Sequence, residues 1–502
     1  MGTAVIVVGA GPVGLMLAGE LRLAGVDVVI YEKRPAPSGE SRGVGFTRRA
    51  AEVFDQRGLL ERMDATVSSW GHFGGVRIDF GMVDDVHFGI QGVPQYRTES
   101  VLGEWVTQLG VPVRRGYEFV DLRQTDNAVV AVLDGPNGRE EHTAQYLVGC
   151  DGGRSTVRKV VGIDFPGRKA TRGMYVADVV GADIRPRPVG ERVPDGMVLA
   201  IKLEENVTRI VVHPDDLLPR DPETVTFTEI ADSWQRLTGQ SLHGAEARWI
   251  SAFTNATRQA AEYRRGRVFL AGDSAHIHIP AGAVGLSTGV QDAVNLGWKL
   301  AAAVNGWGSD ELLDTYHSER HPIGKRVLRN TLAQASLYLS GDEMEPVRKV
   351  MRELVSYPDV ARHMAGMVSG LEIRYDVGAS GHPLLGLRMP PRDLELADGC
   401  RTRIPDLLRT ARGVLITTEP RPDLSRLAAG WSDRIDLITA SWLPTDTYPA
   451  HTAPDAALVR PDGHVVWAAP GGGDLAKALY RWFGKANADT GTPDPTSIPK
   501  AS

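Results

Sequence analysis

The sequence predicts a mixed α/β (α+β) protein of three units, and three observations carry that expectation. Residues 1 to 32 run strand, glycine-rich turn, helix, strand. Residues 172 to 249 replace that pattern with β-rich runs broken by prolines, and a further set of strands with one closing helix begins near Gly386. At 502 residues, 42% apolar and 24% charged, the chain can bury a large core across two or three domains. A formal net charge of -6 is small for this length, so nothing electrostatic argues for a nucleic-acid or anionic-membrane partner, and a small molecule is the expected ligand.

Cys150 and Cys400 are the only cysteines, and their spacing supports neither a disulfide framework nor a thiolate metal site. No metal ligands are assigned, and a reducing cytoplasm is the expected location. The N-terminus enters a strand without a basic leader, and no apolar run reaches ~18 residues. Ile6 departs from the myristoylation pattern, so a soluble, unanchored protein is expected.

The first unit opens with a buried strand ending at Val8, a helix through Leu21 and a second strand from Val26 to Tyr31, closed by Glu32 and followed by Lys33. Between strand and helix stands Gly9-Ala10-Gly11-Pro12-Val13-Gly14, a Gly-x-Gly-x-x-Gly motif in its required context. Gly9 permits the tight turn, Gly11 lets a diphosphate approach the backbone, and Gly14 lets helix pack on strand. Free N–H groups and the helix dipole favour the anion. Glu32, at the tip of the second strand, can accept from a ribose diol. The motif alone does not separate FAD from NAD.

A Gly/Arg-rich stretch from Ser38 to Gly45 and a helix from Thr47 to Gly58 follow, then strand-like segments at Val111–Leu122, Ala128–Leu133 and Tyr146–Val148. Cys150-Asp151-Gly152-Gly153-Arg154-Ser155-Thr156-Val157-Arg158 offers a carboxylate, a flexible glycine pair and two guanidiniums that could orient a cofactor. An Asp-Gly pair is also an ordinary turn. In the second unit, prolines at 186, 188, 214, 219 and 222 separate β-rich runs such as Val207–Val212 and Val225–Thr228.

The FAD reading comes from a later segment. A strand from Val268 to Ala271 ends in Gly272-Asp273, where a carboxylate can bind ribityl hydroxyls. Pro280-Ala281-Gly282-Ala283-Val284-Gly285-Leu286-Ser287 then leads into a long helix with Val290, Val294, Gly297, Ala301 and Val304 on one face. Its N-terminus would present a positive dipole end to a reduced, anionic flavin, which an NAD dehydrogenase does not need. The third unit reads as strands at Gly413–Thr417 and Ile435–Thr439, a hairpin from Leu458 to Trp467 turning at Pro461-Asp462-Gly463, and a helix Leu475–Phe483.

With these segments in this order, the chain resembles the group A flavoprotein aromatic hydroxylases of the para-hydroxybenzoate hydroxylase type. It is most similar to the FAD-dependent polyketide hydroxylases of actinobacterial antibiotic pathways. The resemblance covers nearly the whole chain. Besides the glycine motif it rests on Gly39-Glu40-Ser41-Arg42-Gly43, Pro94-Gln95-Tyr96-Arg97-Thr98-Glu99, the Asp-Gly and Gly-Asp segments, the run Gln291 to Leu300, and Arg460-Pro461-Asp462-Gly463.

The resemblance implies a discontinuous Rossmann-like FAD-binding domain (1–74, 99–170, 262–385), a β-sheet substrate domain (75–98, 171–261) and a thioredoxin-like C-terminal domain (386–502). It places Gly9, Gly11, Pro12, Val13, Gly14, Glu32 and Lys33 at the ADP half of FAD, and Phe119 where backbone touches adenine. Arg42 and Gln95 fall along the flavin or its ribityl chain; read without the family, the first suggests a surface salt bridge and the second a loop hydrogen bond. Asp151 serves FAD and NADPH, Asp273 the ribityl and pyrophosphate region, and Pro280, Gly282, Gly285, Leu286 and Ser287 cradle the isoalloxazine. The family's flavin loop commonly reads Gly-Gly-Gln-Gly-Leu/Met-Asn; here Val284 and Ser287 remove or shorten polar side chains, which puts contacts at the pyrimidine ring on the backbone. The C-terminal unit lacks a Cys-x-x-Cys, so packing and oligomer contacts, not redox chemistry, are its expected work.

The implied reaction is hydroxylation of a polycyclic aromatic polyketide with NADPH (or NADH) and O2 through a C4a-hydroperoxyflavin, with no essential acid or base assigned; Arg42, near the flavin, is the one catalytic candidate. Two other readings share these residues: a Baeyer-Villiger or epoxidising monooxygenase, and a flavin-binding protein without oxygenase activity.

Overall fold

A parallel sheet organises the first unit because its strands are apolar on both faces, as strands covered by helices on each side must be. The computed structural model describes residues 3–37, 39, 42–82, 89–444 and 453–487. Ser38, Glu40 and Ser41, and parts of the expected 75–98 and 386–502 units, lie outside the described residues.

The sheet runs in the order Arg264–Arg265, Val268–Leu270, Tyr146–Gly149, Val5–Val8, Val28–Glu32, Val113–Arg115, parallel except for the first pair. Register aligns Val8 with both Tyr31 and Gly149, and Gly149 with Leu270. The turn at Gly9, the carboxylate of Glu32, the Asp-Gly segment and the Gly-Asp segment therefore leave neighbouring strands at one carboxyl edge. That edge is where open α/β sheets bind ligands. Helices Pro12–Leu23 and Val284–Val304 pack on this sheet. A three-stranded antiparallel meander spans 118–144.

The second unit is a five-stranded antiparallel sheet ordered Arg187–Val193, Gly196–Glu204, Val207–Pro214, Gly173–Val180, Glu246–Thr254. One face buries Tyr175, Ala177, Val198, Ile210 and Val212 against the helix Phe227–Thr238, whose Trp234 is fully buried. That helix corrects the sequence reading, which took Val225–Thr228 as a β run from its β-branched and aromatic residues. A capping box overrides them: the Thr226 hydroxyl accepts from the Glu229 N–H, and the Glu229 carboxylate accepts from the Thr226 N–H. Short strands between 66 and 92 form two separate two-stranded pairs outside the five-stranded sheet.

The third unit is a six-stranded mixed sheet whose central pair, Gly413–Thr417 and Ile435–Trp442, is parallel. The hairpin Ala456–Val459/Val465–Ala469 and the helix Leu475–Phe483 form where the sequence places them. Between the second and third units run helices Asp310–Leu339, Glu345–Val355 and Pro358–Ser369. Among the described residues, no helix is long and apolar enough to cross a membrane.

Candidate cofactor and substrate site

Each glycine of the first turn does different steric work. Gly9 has φ +107°, and a Cβ there would lie 2.4 Å from the Cys150 carbonyl oxygen. A Cβ on Gly14 would lie 2.0 Å from the Gly9 oxygen, so only glycine lets the helix approach its strand this closely. A Cβ on Gly11 would meet nothing within 4 Å. The turn is therefore tight on two sides and open on the third, and the open side lies over backbone entering a helix with Pro12 in its first turn, no side-chain cap and no first-turn acid. An anionic diphosphate fits that space and that charge.

Glu32 ties the turn to the second strand, its carboxylate accepting from the Ala10 N–H (2.8 Å) and the Arg34 N–H (2.9 Å). A carboxylate has about four acceptor sites, so capacity for a diol remains. Lys33 is exposed beside it. The Tyr117 N–H donates to the Glu32 carbonyl, which brings the segment holding Phe119 alongside, with the Phe119 ring buried in the core.

Asp151 is more heavily used by the protein than the sequence reading foresaw. One carboxylate oxygen accepts from the N–H groups of Thr156 (2.7 Å) and Val157 (3.0 Å), capping the short helix that follows; the other accepts from the Ser274 hydroxyl (3.0 Å). Arg158 donates to the carbonyls of Ser274 and Gly153 and lies 3.7 Å from the Phe165 ring centroid. The Asp-Gly and Gly-Asp segments are thus bolted together, while Asp273 itself is exposed.

The second glycine-rich loop reaches the same point. A Cβ on Gly272 would lie 2.8 Å, and one on Gly289 2.5 Å, from the same methyl of Val13. The first helix start, the Gly-Asp turn and the helix Val284–Val304 meet at that side chain. This helix also starts without a side-chain cap or first-turn acid, after Gly282 (φ +69°) and Ala283 (φ +57°), two successive left-handed residues. Pro280 is exposed, and Gly285 packs against the His278 ring edge. Leu286 packs against the first core. Ser287 turns inward: its hydroxyl donates to the Ala283 carbonyl (2.8 Å) and accepts from the Thr47 N–H (2.9 Å). Arg42 is exposed; its neighbour Gly43 donates to the Gln95 side chain (3.0 Å), and the Gln95 N–H donates back to the Gly43 carbonyl. Arg42, Gln95 and Ser287 are thereby linked through the 43–47 segment.

Several residues that hold this arrangement escaped the sequence reading. Asp292, fully buried, accepts from the Gly272 N–H (3.1 Å), His276 Nε2 (2.7 Å) and Arg320 Nε (2.7 Å). Burial alone would raise its carboxyl, but Arg320 and His276 hold it below the usual carboxylate range. Farther along the helix, Asn295 and Lys299 both donate to Glu319, at 2.6 and 2.8 Å. Arg460 of the third unit binds Glu319 through two donors (2.6 and 3.0 Å) and also binds Asp462. Burial alone would raise Glu319, yet Arg460 and Lys299 bring it down to about 2; burial lowers Lys299 to about 8. Arg49 donates to the Asp462 carbonyl, and Arg57 pairs with Glu20 and donates to the Pro461 carbonyl. A signal for this lay in the sequence: Asp292, Asn295 and Lys299, spaced three and four apart, put ionisable and amide side chains in one stripe of a helix rich in apolar residues.

The other face of the five-stranded sheet closes over the second loop. Met174, Met197, Leu199, Val211 and Phe253 cluster with Ile279 and Ala281 of the loop and with Ala335, Tyr338 and Leu339 of the helix Asp310–Leu339. The Gln334 side-chain oxygen accepts from the Gly74 N–H (3.2 Å).

Comparison with known proteins agrees with this geometry. A family described as FAD binding domain matches residues 2–331, and one described as aromatic-ring hydroxylase, C-terminal, matches residues 382–486. A rifampicin monooxygenase of Streptomyces venezuelae is 42% identical over 493 residues, covering 96% of this chain and 99% of its own. A 12-dehydrotetracycline 5-monooxygenase/anhydrotetracycline 6-monooxygenase of Streptomyces rimosus is 42% identical, covering 96% and 98%. Among solved structures, CabE, an aromatic hydroxylase from angucycline biosynthesis, superposes with a TM-score of 0.93 at 52% identity, covering 97% of this chain and all of that one.

Proposed function

The chain belongs to the FAD-dependent aromatic-ring hydroxylases, and from that membership we propose that it hydroxylates a polycyclic aromatic polyketide with NADPH as reductant. The balanced reaction takes an aromatic C–H, O2, NADPH and a proton to a phenol, NADP+ and water. The observation that carries the reading is the meeting of three motif segments at Val13, which puts an open glycine turn, an exposed carboxylate and an uncapped helix start around one space.

FAD, when bound, supplies hydride acceptance and activation of O2. The chain's own residues bind, orient and exclude water. Gly11, with Pro12 and Val13 of the first helix turn, receives the diphosphate, and Glu32 accepts from the ribose hydroxyls beside Lys33. The backbone at Phe119 would touch the adenine. Asp273 takes the ribityl hydroxyls, while Asp151, committed to capping and to Ser274, positions the edge where NADPH arrives. Past Pro280, the loop from Gly282 into the helix would offer main-chain N–H groups and a helix dipole to the pyrimidine edge, since Val284 is apolar and the Ser287 hydroxyl is already used. Arg42 and Gln95 would sit along the flavin or its ribityl chain. The sheet face above is apolar at Met174, Met197, Leu199, Val211 and Phe253, so substrate rings against it would displace water from the reacting region. The size of that sheet and its polar far end favour several fused rings over one. The expected domains, 1–74/99–170/262–385, 75–98/171–261 and 386–502, follow the same reading.

The test is an absorbance spectrum of the purified protein, then NADPH consumption under air with tetracyclic and angucyclic polyketides. Bands near ~370 and ~450 nm and oxidation accelerated by a polyketide that gains one hydroxyl are expected. A lactone product would move the enzyme to Baeyer-Villiger chemistry. Absence of flavin after reconstitution with FAD would sink the reading.

A further inference from the structure

The underside of the five-stranded sheet carries one buried cation with unspent donors. Strand register places Ile201, Arg209, Asp178 and Trp249 side by side across four strands. They share the face of Leu199 and Val211, two residues along, which pack toward the second glycine-rich loop; the alternate residues Ala200, Ile210 and Ala177 face the covering helix instead. Arg209 is 2% and Asp178 4% exposed. Arg209 Nε and Nη2 donate to the two Asp178 oxygens at 2.6 and 2.7 Å, and the guanidinium lies 4.8 Å from the Trp249 ring centroid.

That arrangement fixes the guanidinium on one edge and one face. Its remaining corner, Nη1, carries two N–H groups away from Asp178, is buried, and has no hydrogen-bond partner. Buried donors are nearly always satisfied, and a guanidinium N–H left unpaired is among the costlier exceptions. Here the exception sits on the sheet face that the preceding reading assigns to the ligand. It lies about 7 Å along the strand from the apolar row of Leu199 and Val211, and about 13 Å from the row of Met197, at ~3.3 Å per residue. A ligand spanning both ends needs fused rings along Leu199, Val211 and Met197, whose register partner is the buried His213, and an acceptor oxygen at the Arg209 edge.

We propose that Arg209 is a specificity-determining residue, its Nη1 donating to a carbonyl or phenolate oxygen of the ligand beneath the sheet. Asp178 and Trp249 hold the guanidinium so that little ordering is left to be done on binding. The inference rests on the flavin-hydroxylase reading above. Such an oxygen has two sources, the polycyclic aromatic substrate or the flavin ring, and the two are separable by experiment.

Two variants keep the test independent of folding: Arg209→Lys, which retains the pair with Asp178 but lacks the second donor arm, and the double variant Asp178→Leu/Arg209→Met, which removes pair and donor together. Affinity for anhydrotetracycline and for 1,8-dihydroxyanthraquinone is read from perturbation of the flavin spectrum in the holoenzyme. FAD affinity is read by fluorescence quenching on the apoprotein, and the flavin midpoint potential by reductive titration. The expected result is polyketide affinity weakened about ten- to a hundredfold, the loss of one hydrogen bond to a charged group, with FAD affinity within twofold of wild type. Weakened FAD affinity with a shifted potential assigns the oxygen to the flavin. Unchanged polyketide affinity, FAD affinity and potential in both folded variants overturns the inference; if the wild type binds neither probe, unchanged FAD affinity and potential overturn it alone. A wild type that holds no flavin refutes the reading beneath it, and that outcome is seen before any variant is made.

Discussion

The two glycine-rich helix starts solve the same problem by different means. At Gly9–Gly14 the backbone is fixed by close sterics: a Cβ on Gly14 would meet the Gly9 oxygen and one on Gly9 the Cys150 carbonyl of the neighbouring strand end, while Gly11 faces open space. At Gly282–Ser287 the chain is held from a distance. Ala283, not glycine, occupies the left-handed position at the helix start. The turn beside it is pinned by Asp292 through Gly272, and the helix behind by Lys299, Glu319, Arg460 and Asp462. A motif whose determinants are glycines and the backbone packed on them is nearly complete in itself; one whose determinants are buried ion pairs belongs to the whole molecule.

The largest effect should come from breaking the local solution. Gly14→Ala puts a methyl 2.0 Å from the Gly9 oxygen, and since that atom is backbone the helix must leave its strand. A loss of about 4 kcal/mol or more, with FAD no longer retained, is expected from denaturant melts and the flavin spectrum. Gly11→Ala sharpens the contrast, because its methyl meets no protein atom. Its melting temperature should stay within a degree or two while FAD binding weakens about tenfold or more. Equal FAD affinity in wild type and Gly11→Ala would mean that no diphosphate approaches this turn.

Next comes the remote solution. Asp292→Asn leaves the buried Arg320 without its counter-charge and weakens the bond to His276. About 3 kcal/mol of stability should be lost. The flavin site should loosen before the fold does, so FAD should dissociate at lower urea than the far-UV signal changes. Coincident transitions would show that Asp292 serves the fold alone.

This difference also explains what could be read from the sequence. The first turn, its helix and Glu32 were legible because glycine spacing, periodicity and strand ends are local signals. The hairpin at Pro461-Asp462-Gly463 and the helix Leu475–Phe483 were legible for the same reason. The helix at Phe227 was misread because four residues of β-forming character outvoted one capping pair. The inward commitments of Asp151 and Ser287 were invisible, since their partners Ser274 and Thr47 lie 123 and 240 residues away. Arg460 and Asp462 stood in a motif recognised by resemblance, but nothing in spacing says that they meet Glu319.

Acid separates the two regions by a smaller amount. Burial lowers the His464 imidazole to about 3, so between that value and its ordinary 6.5 the unfolded chain binds the proton and the folded one does not. Its contribution is therefore intact above pH 6.5 and is lost as pH falls. Glu319, brought down to about 2, contributes fully above its ordinary value near 4.5 and is lost only below it. From pH 6.5 to 5 the histidine acts before the carboxylates, costing at most about 2 kcal/mol. His72, which burial lowers to about 4, adds to the same limb. His464→Gln should flatten this part of a melting-temperature profile while leaving the fall below pH 4.5. An unchanged slope from 6.5 to 5 would place the acid sensitivity elsewhere.

The smallest effect tests the strain in the second loop. Ala283 holds φ +57° and ψ +21°, a conformation that costs an L-residue roughly 1–2 kcal/mol and glycine almost nothing. Replacing it with glycine also adds conformational entropy to the unfolded chain, worth about 0.4–1 kcal/mol in the opposite direction. The balance predicts that Ala283→Gly stabilises by about 0.5–1 kcal/mol, a rise of roughly 0.5–1 °C for a chain of this size. The same exchange run backwards at Gly9 is forbidden, because there a Cβ meets the Cys150 carbonyl whatever the dihedral angles. A fall in melting temperature for Ala283→Gly would show that the methyl packs against something worth more than the strain it incurs. In that case the second loop, like the first, is fixed by its own residues, and the contrast between the two collapses.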